Sequence, residues 1–213
     1  MAAVTAESKG ISRFFDYVDV LVSLGIALFI LKLWIFPNQD NVGDILTLCL
    51  IMVVEFIMVH SGAMMAFARA FSRFLPLVFV PLYGLFIWAF YLAAGDVNIV
   101  RLYCFAVFCR LFGGFFGSDA GVIARQFKCA FFHAMIYFAA FVLVGTGAVR
   151  PPRFGLTEPF LAAANYYSRA GDAYGMLLQT PHVALCFAFV YYMGLAAFDF
   201  WVAKNPGKLE KPI

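Results

Sequence analysis

Long apolar runs separated by short polar stops dominate the chain. Six of them reach membrane length: 18–36, 45–68, 75–94, 99–116, 127–148 and 183–203. A helix needs about 20 apolar residues to cross a hydrocarbon core of roughly 30 Å. Pro37-Asn38-Gln39-Asp40 stops the first run, because proline lacks a backbone donor and turns its predecessor away from helical geometry. Pro76 suits the first turn of the third run, Pro81 predicts a kink in it, and Gly95-Asp96 closes it. Gly117-Ser118-Asp119 ends the fourth run, and Ser118 or Asp119 can cap the lead into the fifth. The pattern predicts an all-α polytopic membrane protein, one integral domain over 1–213 with six transmembrane helices.

Two pieces fall outside these runs. Residues 11–18 predict a short helix lying in the membrane interface, with Phe14 and Phe15 dipping inwards. The 149–182 connection is the long loop, and Thr157-Glu158-Pro159 within it reads as a helix start. A short outer-surface helix is therefore expected over 160–167. Loops of this length often act as lids or docking sites.

Composition narrows the class. The chain is 64% hydrophobic and only 13% charged, against about 25% charged in soluble domains. The spans use nearly all of it, so no independent soluble domain fits. A net charge of +3 without a basic run argues against nucleic acid as a partner. The expected surroundings are the lipid bilayer and either other membrane subunits or a second copy of the chain. Five cysteines (Cys49, Cys104, Cys109, Cys129 and Cys186) sit in or beside apolar runs without a C-x-x-C, and read as small packing residues. Acids and aromatics precede the first run and no A-x-A site follows it, so that run is expected to stay in the mature protein.

Lys and Arg in short loops set orientation. Lys9, Arg13, Arg69, Arg73, Arg125, Lys128, Lys204, Lys208 and Lys211 share one side. Arg150, Arg153 and Arg169 fall on the other, while Lys32, Arg101 and Arg110 lie within the runs. Nine against three predicts both termini in the cytoplasm, and the expected location is a bacterial inner membrane. Trp34 and Trp201, near run ends, fit an interfacial belt.

Candidate chemistry lies among the polar residues inside the runs. A charged side chain at mid-bilayer costs about 2.5–3.5 kcal/mol on insertion scales, so each needs a partner or a task. Glu55 is deepest, and shares a helix face with Val59, Gly62 and Ala66, small enough to admit another helix. Lys32, Arg101 and Arg110 are its potential cations; Lys32 and Arg101 lie close enough to run ends to snorkel. His60, Arg110 and His133 all lie about 9–12 Å inside the cytoplasmic boundary at 1.5 Å per residue, so they can share one layer. Two histidines at one depth on different helices are what a six-coordinate b-type haem requires, and an arginine there could pair with a propionate. The competing reading is of two histidines hydrogen-bonded to neighbouring helices or to backbone. Gly113, Gly117 and Gly121 repeat at four-residue spacing, and helix packing is the expected use of Gly113 and Gly117. His60 follows Glu55 by five residues, about 140° round the helix, so no two-ligand metal site arises from that helix. Asp199 has no acidic mate in sequence, and G-x-S-x-G, P-loop and G-x-G-x-x-G motifs do not occur.

The leading functional expectation is a non-enzymatic membrane subunit that docks in a larger complex. It rests on small size, 27 phenylalanines and short tails. The alternatives are a small proton-coupled transporter using Glu55, and a b-type haem electron-transfer subunit using His60 and His133.

Overall fold

A computed structural model describes residues 2–72, 74–94, 97, 100–101, 103–105, 107–108, 120–170, 175–205 and 208–209. The described secondary structure is all helical. In chain order the helices are α1 (Ala2–Ile35), α2 (Val42–Phe71), α3 (Pro76–Ala94) and α4 (Ala120–Ala140). They continue with α5 (Glu158–Ala163), α6 (Tyr166–Ala170), α7 (Met176–Gln179) and α8 (Pro181–Lys204). A 3-10 turn, Gln39–Asn41, leads into α2, and a π-helical turn, Phe141–Gly145, extends α4.

Four helices, not the expected six, are long and apolar enough to cross a membrane among the described residues. They cover Asp16–Ile35, Gln39–Arg69, Ala124–Gly145 and Pro181–Lys204. The third expected run does fold as α3, through Pro81. α3 has 19 residues, about 28 Å at 1.5 Å per residue, and its apolar stretch among the described residues is Pro76–Ala89. The fourth expected run, 99–116, falls mostly outside the described residues; Val100, Arg101, Tyr103, Cys104, Phe105, Val107 and Phe108 are helical. Residues 11–18 do not form a separate interfacial helix, because α1 runs unbroken to Ile35 with no proline to stop it.

The last helix organises the bundle. α8 packs along α1 and also touches α2, α4 and α7, while α3 packs on α2. Ile30 and Leu33 of α1, Ile45 and Met52 of α2, Tyr137 of α4 and Leu185, Phe187 and Tyr191 of α8 share the main core. Gly194 of α8 sits so close to α4 that a Cβ there would lie 2.7 Å from Ile136 Cγ2. A smaller core joins Val54, Met58 and Met65 of α2 to Ile87 of α3 and to Tyr103 and Val107. Large apolar side chains such as Leu21, Phe67 and Leu85 face outwards, as lipid permits.

The described part of the 149–182 connection folds as a cap. Trp34 is buried: its Nε1 donates to Pro152 O at 3.0 Å and Phe154 packs edge-on to its ring. Gly155 N donates to Trp34 O at 3.2 Å. A Cβ on Gly155 would lie 2.1 Å from Pro37 Cδ and 2.8 Å from Ile35 O, so only glycine fits. The single helix expected over 160–167 is broken into α5 and α6 at Asn165, whose φ of 52 is a left-handed geometry that asparagine tolerates. Tyr166, fully buried, pins the cap by donating to Leu178 O at 3.0 Å; its hydroxyl also lies 3.7 Å from Cys49 Sγ. Burial and the nearby Cys49 thiol raise the Tyr166 phenol far above its ordinary pKa, so it stays neutral.

Candidate functional site

Polar groups within the spans gather at two levels. At mid-bundle, Tyr191 Oη on α8 donates to Glu55 Oε1 on α2 at 2.8 Å. A turn away, Tyr137 Oη on α4 donates to Met52 O at 2.7 Å. The Tyr137 and Tyr191 rings meet edge to face with centroids 5.3 Å apart, and Tyr192 stacks beside Tyr191 at 5.0 Å. One carboxylate and the tyrosine hydroxyls thus join α2, α4 and α8 at one depth. The stripe expected beside Glu55 is mostly enclosed, with Val59 buried and Gly62 and Ala66 half-buried.

The second level lies where the start of α4 meets the first turns of the α1 span. Asp16 pairs with Arg125 at 2.5 Å, and Arg69 Nη1 donates to Gln126 Oε1 at 2.6 Å. Two turns along α4 from Arg125, His133 Nε2 lies 3.0 Å from Asp199 Oδ1 on α8. Asp199, which lacked a mate in the sequence, finds a histidine through the fold.

Of the expected shared layer of His60, Arg110 and His133, the structure describes the two histidines. The second and fifth expected spans are neighbours, since α2 packs on α4. His133, however, turns to α8, with its ring edge-on to Phe198. His60 turns to its own helix, where Nδ1 lies 2.8 Å from Phe56 O, and its ring packs against Phe56 and Phe138. A carbonyl only accepts, so Nδ1 carries the proton that it donates to Phe56 O. The two histidines therefore belong to separate networks. Arg110, Gly113 and Gly117 lie outside the described residues.

Cys49 and Cys186 are buried, and the described cysteines are all unpaired. Among the described residues no group of three or more His, Cys, Asp and Glu could hold a metal ion. A haem held by both histidines would need Nε2 of His60 and Nδ1 of His133, the nitrogens left uncommitted by these bonds.

Sequence reading missed Tyr137, Tyr191, Tyr192 and Asp16. The tyrosines were legible in principle, because a phenol in an apolar span needs a partner for its hydroxyl. No family model, no curated protein and no solved structure matches the chain.

Proposed function

We propose that this integral membrane protein is a non-enzymatic subunit that docks, through α3, onto a second membrane protein. The supporting observation is that polar side chains of its spans engage one another across helices. Tyr191 holds Glu55, Asp199 holds His133, and Arg125 holds Asp16. Groups bonded in this way act as struts that fix helix positions in an apolar medium. The rigid assembly of α1, α2, α4 and α8 then leaves α3 at its flank. Leu77, Val78, Leu82, Leu85, Phe86 and Trp88 of α3 are all exposed. A helix apolar on every side suits either lipid or another apolar surface.

The test is site-specific photo-crosslinking in native membranes from Leu82 and Trp88, with exposed Leu28 of α1 as the control. The expected result is one protein adduct of fixed stoichiometry from α3 and only lipid adducts from Leu28. Lipid adducts alone from all three positions would overturn the docking reading.

Proton-coupled transport is the second reading, favoured by the Tyr191 to Glu55 bond, which joins an ionisable group to a hydroxyl at mid-bundle. The haem reading gains least from the geometry, since the histidines face different partners. The charge asymmetry places the termini in the cytoplasm for four spans as for six, because both counts are even.

A further inference from the structure

We propose that the cleft between α2 and α4 binds one hydrocarbon chain of a bilayer lipid. The cleft is a cavity of about 230 Å3 lined by Val53 and Phe56 of α2, Tyr137 and Phe138 of α4, Phe141 of the π turn and Leu177 of α7. Among these six side chains the only polar atom is Tyr137 Oη, and it is already donated to Met52 O. The lining side chains therefore offer no free donor, and only the Tyr137 Oη lone pairs as an acceptor. A buried water wants about 2–4 polar partners, so water does not satisfy this space. A lipid headgroup or an unpaired peptide segment fails for the same reason.

Size sets the rest. An apolar cavity of roughly 150 Å3 takes up benzene, whereas drug-sized ligands occupy about 300–1,000 Å3. The cleft falls between, which suits a length of one acyl or isoprenoid chain. Its surroundings hold it open and aim it at lipid. Tyr137 is fixed from behind by Phe187 and Tyr191 of α8. Phe56, Phe138 and Phe141 are exposed on the candidate spans Gln39–Arg69 and Ala124–Gly145, so the mouth opens at hydrocarbon depth. Leu177 bounds the end nearest the outer cap, and the His60 ring lies one turn further in, against Phe56 and Phe138. The π turn beginning at Phe141 widens the helix at this wall, and such turns occur frequently at functional sites.

The test uses the full chain in nanodiscs carrying a trace of phospholipid with a photoreactive diazirine in its acyl chain. Adducts should concentrate on Val53, Phe56, Phe138 and Phe141. The expected enrichment over exposed Leu28 and Trp88 is about tenfold, the occupancy ratio of a site that binds about 1.4 kcal/mol better than the surrounding lipid annulus. Unlabelled fatty acid and unlabelled polyprenol compete separately, and the better competitor identifies an acyl or an isoprenoid source. Val53→Trp, which fills the cleft, should remove the enrichment. Leu177→Trp closes it from outside the spans and serves if Val53→Trp fails to fold. Labelling spread evenly over exposed positions would overturn the proposal. So would enrichment that survives Leu177→Trp in a folded protein, or a cleft that crosslinks to another polypeptide instead.

Discussion

A carboxylate in the middle of a membrane helix depends on whatever donates to it, and for Glu55 the donor includes the Tyr191 hydroxyl. Glu55→Gln keeps a carbonyl acceptor in place, so thermal unfolding in detergent should change by less than about 1 kcal/mol. Glu55→Leu strands the Tyr191 hydroxyl and should cost about 1–3 kcal/mol. The reverse order of the two variants would show that the charge itself holds the helices. Should Glu55→Gln fold normally but abolish proton flux in liposomes, the transport reading would displace the structural one. Glu55 was visible in the sequence because an acid is conspicuous in an apolar run. Its partner was not, since Tyr191 lies 136 residues away and only packing of α8 on α2 brings it near.

Elements show where local signals were complete and where they were overruled. Pro37 does end α1, and Asn38 Oδ1 caps the next turn by accepting from Asn41 N at 2.8 Å. The helix start at Thr157 also appears, with Pro159 in the first turn of α5. The break at Asn165 was missed, because asparagine in a helical window signals a left-handed turn only weakly. Gly155 carried no recognisable signal, since its need for glycine comes from Pro37, far along the chain. Gly155→Ala is expected to lift the cap from α1 and cost about 1–3 kcal/mol, as overpacking does. Faster proteolysis of the 149–157 segment would register it; unchanged protection would remove Gly155 from the cap.

The cap should also be sensitive to alkali. An unfolded chain releases the Tyr166 proton near its ordinary value of 10.0, whereas the buried phenol retains it. Above that pH the folded state binds more protons, so stability falls as pH rises. Wild-type protein is expected to lose cap protection more steeply above about pH 10 than Tyr166→Phe does. Equal slopes would show that Tyr166 is not what titrates.

At the scale of the whole molecule, four candidate spans and the excess of Lys and Arg on the side of both termini predict one layout. Single cysteines at Gln126 and Lys208 should react with impermeant thiol reagent from the cytoplasmic side, and those at Asp40 and Asn165 from outside. Labelling of Lys208 and Asn165 from the same side would break the even span count. The Asp16–Arg125 and Arg69–Gln126 contacts agree with this layout, because they gather the three span ends that it assigns to one side.

The sequence by itself determined the environment and the class. Apolar runs of membrane length have no alternative to helices in hydrocarbon, where every backbone group must be satisfied within its own segment. It also marked Glu55, His60 and His133 as out of place, since composition makes them rare. Tertiary structure alone decided what each of them touches. Side-chain direction depends on which helix faces are buried, and that follows from the packing of α8 against α1, α2 and α4. Sequence spacing predicts that His60 and His133 match in depth along the membrane normal. They differ in direction around their helices, which only the assembled bundle fixes.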